Sequence, residues 1–151
     1  VTLHPDSHTE LPTIEQTYVL TIKGAPKSIN AGGGGTRANH YAAAAEKKHW
    51  QGQFGLELMV AKVRRNMLFC GVTVTVRFKH RSGKGRDAEN YRQPIIKPLL
   101  DALQAGGYLE NDTEEFVKVH DVTLEEGVAE WPHADPRIKS EMIVQLEAAY
   151  L

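Results

Sequence analysis

Cysteine is almost missing from this chain, with Cys70 standing alone among 151 residues. One thiol closes no internal disulfide, and it rules out a zinc site built on cysteines. Its neighbours Met67, Leu68 and Phe69 make Cys70 a small buried thiol rather than a reactive one. Long apolar runs are lacking too. No stretch approaches the ~20 residues that span a bilayer, and no charged-then-apolar leader opens the sequence. A cytoplasmic setting without membrane contact is expected. Repeats and low-complexity tracts are absent apart from Gly32 to Gly35, and no Gly-Lys-Ser/Thr follows that run, so it is not a nucleotide-binding P-loop. What remains is ordinary: 41% hydrophobic and 25% charged residues at a length suited to one domain with a sizeable core.

Net charge is also scarce, at -1, but its distribution is uneven. Residues 41–97 hold twelve Lys/Arg against four Asp/Glu, a balance of +8, while residues 98–151 hold three against twelve, a balance of -9. A basic face and an acidic face steer a polyanion better than the total suggests.

Taken in order, residues 1–16 are polar, carry two prolines and show no period, so they read as a flexible N-terminal extension. Residues 17–24 are rich in β-formers and read as a strand. A loop with Lys27 and Asn30 follows, then the glycine run with Arg37 behind it; this stretch is either a loose connector or a wrap that orders on a strand of nucleic acid. Residues 41 to about 66 turn helical, with Trp50, Phe54, Leu58 and Ala61 on one stripe that should face a sheet. Lys47, Lys48, Lys62, Arg64 and Arg65 lie around that stripe. Residues 71–80 alternate strictly, Val72, Val74, Val76 and Phe78 to one side, and form the clearest strand. After a helix over about 91–105, stopped by Gly106-Gly107, residues 116–124 and 137–146 read as two strands expected to pair antiparallel. His120 and Asp121 are set aside as an acid–base pair, because neighbours in a strand face opposite sides.

The chemistry concentrates between residues 79 and 112. Lys79, Arg81, Lys84 and Arg86 make a basic, glycine-containing loop that delivers Asp87-Ala-Glu89-Asn90 to the helix entrance. Those cations either pair with the two acids or hold phosphates beside a scissile bond. If the segment is extended, Asp87 and Glu89 share one face. Two hard oxygen ligands with a third acid returning at Asp112 suit Mg²⁺, which keeps several waters and takes substrate phosphate. Carboxylates at a helix entrance also serve as caps and dipole partners. On the helix, Lys97 and Asp101 lie four apart, within reach of each other.

The ordered set Asp-x-Glu-Asn, Lys97-x-x-x-Asp101-Ala-Leu, a glycine stop and Asp112 resembles the RusA-like Holliday junction resolvases. It departs from that pattern at Glu89, at Asn111 and in a longer spacer before Lys97, so counting forward from Glu89 reaches Gln93 instead. The resemblance implies a single α/β domain over residues 17–151, ordered β-α-β-α-β-β, with a four-stranded mixed sheet packed on two helices. It implies a homodimer that cuts four-way junctions or related branched DNA with Mg²⁺, Mn²⁺ substituting. Asp87, Glu89 and Asp112 would hold the metal and Lys97 would stabilise the transition state. Asp101 would position Lys97, join the outer metal shell, or form a plain helix ion pair. Lys27, Asn30, Arg37 and Asn90 would contact DNA, together with the four cations of the basic loop. The alternatives are an inactive DNA-binding protein of the same fold, or a nuclease for flaps or forks.

Overall fold

Alternating and helical apolar spacings become six elements in the computed structural model, which describes residues 15–29 and 37–150, the first four residues of that second stretch by their helical backbone. These are β1 (Gln16–Lys23), α1 (Arg37–Val60), β2 (Phe69–Phe78), α2 (Glu89–Ala105), β3 (Val117–Glu126) and β4 (Ser140–Ala149). They form one four-stranded mixed sheet in the order β1-β4-β2-β3, as an α/β domain with two helices. Most of the proposed extension over residues 1–16, the glycine run and Asn30 lie outside the described residues. No described helix is long and apolar enough to cross a membrane.

The strand pairing corrects one expectation. β3 does not pair with β4; it runs parallel to β2, while β4 is antiparallel to both β1 and β2. The reason is the crossover. A helix between two strands returns the chain to the end where the first strand began, so α2 makes β2 and β3 parallel neighbours. The long connection after β3 then carries the chain past the end of β2, and β4 fills the gap between β1 and β2.

The core lies between the sheet and the helices. Val72, Val74 and Val76 of β2 are fully buried, as are Phe54 and Leu58 of α1 and Ile95, Leu99 and Leu103 of α2. Trp50 joins them, so three of the four stripe positions on α1 are core. The fourth, Ala61, is exposed because the helix stops at Val60 rather than near Asn66. Lys62 adopts a positive φ of 54°, and the Val63 amide bonds the Leu58 carbonyl at 3.1 Å, a left-handed helix ending. Gly107, with φ 75°, ends α2 in the same way, and the Tyr108 amide reaches the Leu103 carbonyl at 2.8 Å. Cys70 is fully buried, and burial first, then the charge of Glu147, pushes its thiol up to about 12.

The sheet face turned away from the helices is polar, and a bulge shapes it. Asp121 aligns with Thr73 while Val119 aligns with Val72, so His120 is the extra residue. Its ring lies against Gly71, where an added Cβ would come within 2.6 Å of Nε2. His120 and Asp121 therefore share this face, against the simple alternation expected of them. They still make no acid–base pair, since Asp121 Oδ1 accepts the Val122 amide at 2.9 Å.

One carboxylate on this face is buried. Glu141, 1% exposed, accepts Arg77 Nη1 at 2.6 Å and meets His133 Nε2 at 2.7 Å; Arg77 also reaches Glu125 at 3.1 Å. The Arg77 guanidinium is held above its usual range, foremost by its bond to Glu141. A buried carboxylate robbed of its cation is among the costliest defects a fold can carry. Arg77→Met keeps the aliphatic stem and should destabilise the protein by about 3 kcal/mol in urea unfolding at neutral pH, the lower end for a broken buried pair. Arg77→Met with Glu141→Leu should recover much of that loss.

Candidate active site and nucleic-acid interface

Two clusters emerge along α2 in place of one. The first is at its entrance. Ala88 already has helical angles (φ -56°, ψ -36°), so the segment from Asp87 to Glu89 is not extended and period-2 alternation does not apply. Asp87 Oδ1 instead accepts the Glu89 amide at 3.1 Å, a capping bond, and both carboxylates are exposed. Asn90 lies in the first turn. Four residues later Pro94 has no N–H to offer the Asn90 carbonyl. The Ile29 amide takes that carbonyl at 2.8 Å and thereby fastens the loop after β1 to the start of α2. Lys27 follows at the same loop, exposed, its amide bonded to Glu46 of α1 at 2.8 Å.

The basic loop has its own anchor, which the sequence did not point to. Glu126, the last residue of β3, accepts the Ser82 amide at 2.8 Å and Arg86 Nη1 at 3.0 Å. Arg86 also donates to the His80 carbonyl at 3.0 Å and lies 3.9 Å over the ring of Phe78. Arg86 thus pairs with neither Asp87 nor Glu89. The Ser82 amide, then the charge of Arg86, holds the Glu126 carboxyl below its usual range. Arg81 packs across Gly127, and Lys84 is exposed at the tip. Lys79 is half-buried, its amide bonded to the Lys139 carbonyl at 2.9 Å. Arg37 begins α1, with its side chain outside the described atoms.

The second cluster sits further along α2. Lys97 Nζ is 3.3 Å from Asp101 Oδ1 and 3.9 Å from Asp112 Oδ2. Lys47 of α1 reaches the other oxygen of Asp101 at 3.2 Å. The fold brings Lys97 and Asp101 together as their spacing suggested, joins Asp112 to them, and adds Lys47. Sequence reasoning placed Lys47 only near the apolar stripe; nothing local tells which helix a stripe-edge lysine will face. Gln93, the rival of Lys97, is exposed one turn nearer the entrance.

Asp112 is engaged by Lys97, and among the described residues no ion pair or hydrogen bond links it to Asp87 or Glu89. The Lys97 ammonium leans toward Asp101, which lies twelve residues past Glu89, about 18 Å along the axis at 1.5 Å per residue. The helix is continuous through Pro94 and Pro98, so it does not fold the two ends together. Among the described residues, no group of three or more His, Cys, Asp or Glu side chains is arranged to hold a metal ion. Of the expected set, Asp87 and Glu89 stand at the helix entrance, and Asp112 contacts Lys97. The donor chemistry at the entrance still suits Mg²⁺, which commonly takes only one or two carboxylates and fills its shell with water and phosphate.

The anchor at Glu126 gives a direct test. Its lowered carboxyl means the contribution is in place above about pH 4.5, the ordinary value, and is lost as pH falls through the lower folded value. In Glu126→Ala, exchange of the Ser82 amide should accelerate about tenfold at neutral pH, as for the loss of its one acceptor. In the unaltered protein the Ser82 protection factor, which corrects for the slower intrinsic exchange in acid, should fall only on acidification through that lower value. Hydrogen exchange followed by NMR reads both. No protein-family model matches this chain, and no curated protein is significantly similar to it.

Proposed function

We infer that this chain is a metal-dependent, structure-specific endodeoxyribonuclease acting as a homodimer on four-way junctions or related branched DNA. The carrying observation is the meeting of Lys97, Asp101 and Asp112, the residues that the RusA-like pattern singles out, on one side of α2. Spacing alone would not require Asp112, eleven residues beyond Asp101, to come back to that lysine. The exposed basic loop next to two exposed carboxylates supports the same reading.

In this reading Asp87 and Glu89 supply carboxylate oxygens to Mg²⁺, or to Mn²⁺ in its place. Such an ion polarises a phosphodiester and lowers the pKa of bound water. Lys97 places a positive charge where the scissile phosphate gains negative charge. Asp101 and Asp112 hold that ammonium between them, and Asp101 is a positioning residue. Lys84 and Arg81 meet flanking phosphates, while Arg86 braces the loop. A two-fold dimer offers matched sites to the two strands of a junction. It also allows one cut to draw its acid pair and its lysine cluster from different subunits.

The competing reading is an inactive DNA-binding protein of the same fold. It draws on the capping bond of Asp87 and on the ion pair that engages Asp112 with Lys97. Cleavage of labelled junction, fork, flap and duplex DNA with Mg²⁺ separates these readings and ranks the substrates. Asp87→Asn and Glu89→Gln should each abolish cleavage while junction binding persists or tightens, since less negative charge repels phosphate. Full activity in either variant removes the acid pair from the chemistry.

Lys97 is tested separately. Lys97→Ala should slow cleavage at saturating Mg²⁺ by about 10²–10³-fold, as for one lost transition-state donor. Gln93→Ala should do far less. The reverse order would move the catalytic cation, and with it the register of the whole pattern.

A further inference from the structure

Lys47 has no place in the scheme above, yet it completes the cluster. It comes from α1, 24 residues long, and meets Asp101 on the oxygen that Lys97 leaves to it. Asp101 is thereby shared between two ammonium groups from two helices. Both lysines are about half exposed, 47% and 46%, whereas Asp101 is 23% exposed and sits below them. An exposed ion pair contributes only ~0–1 kcal/mol, so two lysines on one carboxylate add little as a clamp between helices. Their geometry suits another task. Each ammonium carries three donors and spends one on Asp101.

We propose that Lys47 is a DNA-contacting residue that, with Lys97, grips one phosphate of the bound strand, Asp101 setting the distance between the two ammonium groups. A phosphodiester offers two non-bridging oxygens side by side, as a carboxylate does. Two ammonium groups already spaced by a carboxylate are spaced for that pair as well. Lysine acts on phosphate as a point charge, so the grip needs no planar alignment. Beside it a groove of about 620 Å³ opens between α1 and α2, lined by residues that include Lys48, Gly52, Gly55, Arg65 and Gly106. An added Cβ at Gly52 or Gly55 would meet nothing within 4 Å, so the strand has room to continue there. This assignment rests on the nuclease reading for its ligand, but it concerns binding and not the chemical step.

The test is the salt dependence of junction binding, measured without divalent ions so that no strand is cut. Each neutralised phosphate contributes about 0.9 to the slope of log K against log salt. Lys47→Met and Lys97→Met should each lower that slope by about 0.9, and the double variant by about 1.8, with little change in melting temperature. Lys118→Met, on the opposite sheet face, should leave the slope unchanged. A wild-type slope in Lys47→Met overturns the proposal, and a fall in melting temperature alongside it would make the residue a tether between helices. If the unaltered protein binds no DNA at all, the nuclease reading fails by itself. Titration with inorganic phosphate then decides the grip: saturable NMR shifts at both Lys47 and Lys97 sustain it, and silence at either removes it.

Discussion

The bond from the Ile29 amide to the Asn90 carbonyl is the constraint on which the arrangement around α2 depends. It exists because Pro94 cannot make the helical bond that Asn90 would otherwise receive. A proline five residues inside a helix usually counts as damage. Here the damage is repaired from outside, by the loop that leaves β1, and the repair fastens that loop to the start of α2. A buried or half-buried carbonyl without a partner costs about 1–3 kcal/mol, so the loop has a definite reason to stay. Asn90 itself is half-buried, which gives that reason its strength.

Local charge pairing then decides which cations face solvent. Arg86 was one of four candidates in the basic loop, and it is the one held on three sides, by Glu126, the His80 carbonyl and the ring of Phe78. Its bond to Glu126 joins the end of β3 to the loop leaving β2, across the parallel pair that α2 creates. The acids at the helix entrance are thus carried by a loop with a fixed base and an exposed tip. Such a loop keeps Arg81 and Lys84 in reach of a ligand while its backbone is held by the Ser82 bond. Where α1 meets α2, by contrast, Lys47 and Lys97 remain about half exposed even though each is paired.

Much of the fold was legible because it rests on short-range pattern. The alternation of Val72 to Phe78, the stripe of Trp50, Phe54 and Leu58, and the stop at Gly106-Gly107 each follow from side-chain period or from a required positive φ. The pairing of β3 is hidden because two strands joined by a loop suggest a hairpin, and no local pattern says that the chain instead passes back to the other edge of β2. The bulge at His120 was invisible for a different reason. It depends on Gly71 in the neighbouring strand, which gives the ring somewhere to lie. Lys47 was unassigned because the angle between two helices selects its partner, and no residue near Lys47 encodes that angle. Glu126 was passed over as one acid among many in an acidic segment.

The division of the expected acid set has a simple origin in helix geometry. Against the RusA-like pattern proposed for this chain, the spacer between Asn90 and Lys97 is longer by about one turn, and one turn moves a residue by about 5.4 Å along the axis while nearly preserving its facing. Asp101 and Asp112 move with Lys97, because both contact its ammonium. The acids at the entrance do not move, because Asp87 is fixed by the Glu89 amide and Asn90 by Ile29. The added turn therefore stretches the distance between the two clusters without rotating one away from the other. A ligand that spans several phosphates along one strand accommodates that stretch more easily than a single metal ion does. In the nuclease proposed here, the two clusters would address neighbouring phosphates, or the acid pair of one subunit would work with the lysines of another. Both arrangements need an extended polyanion.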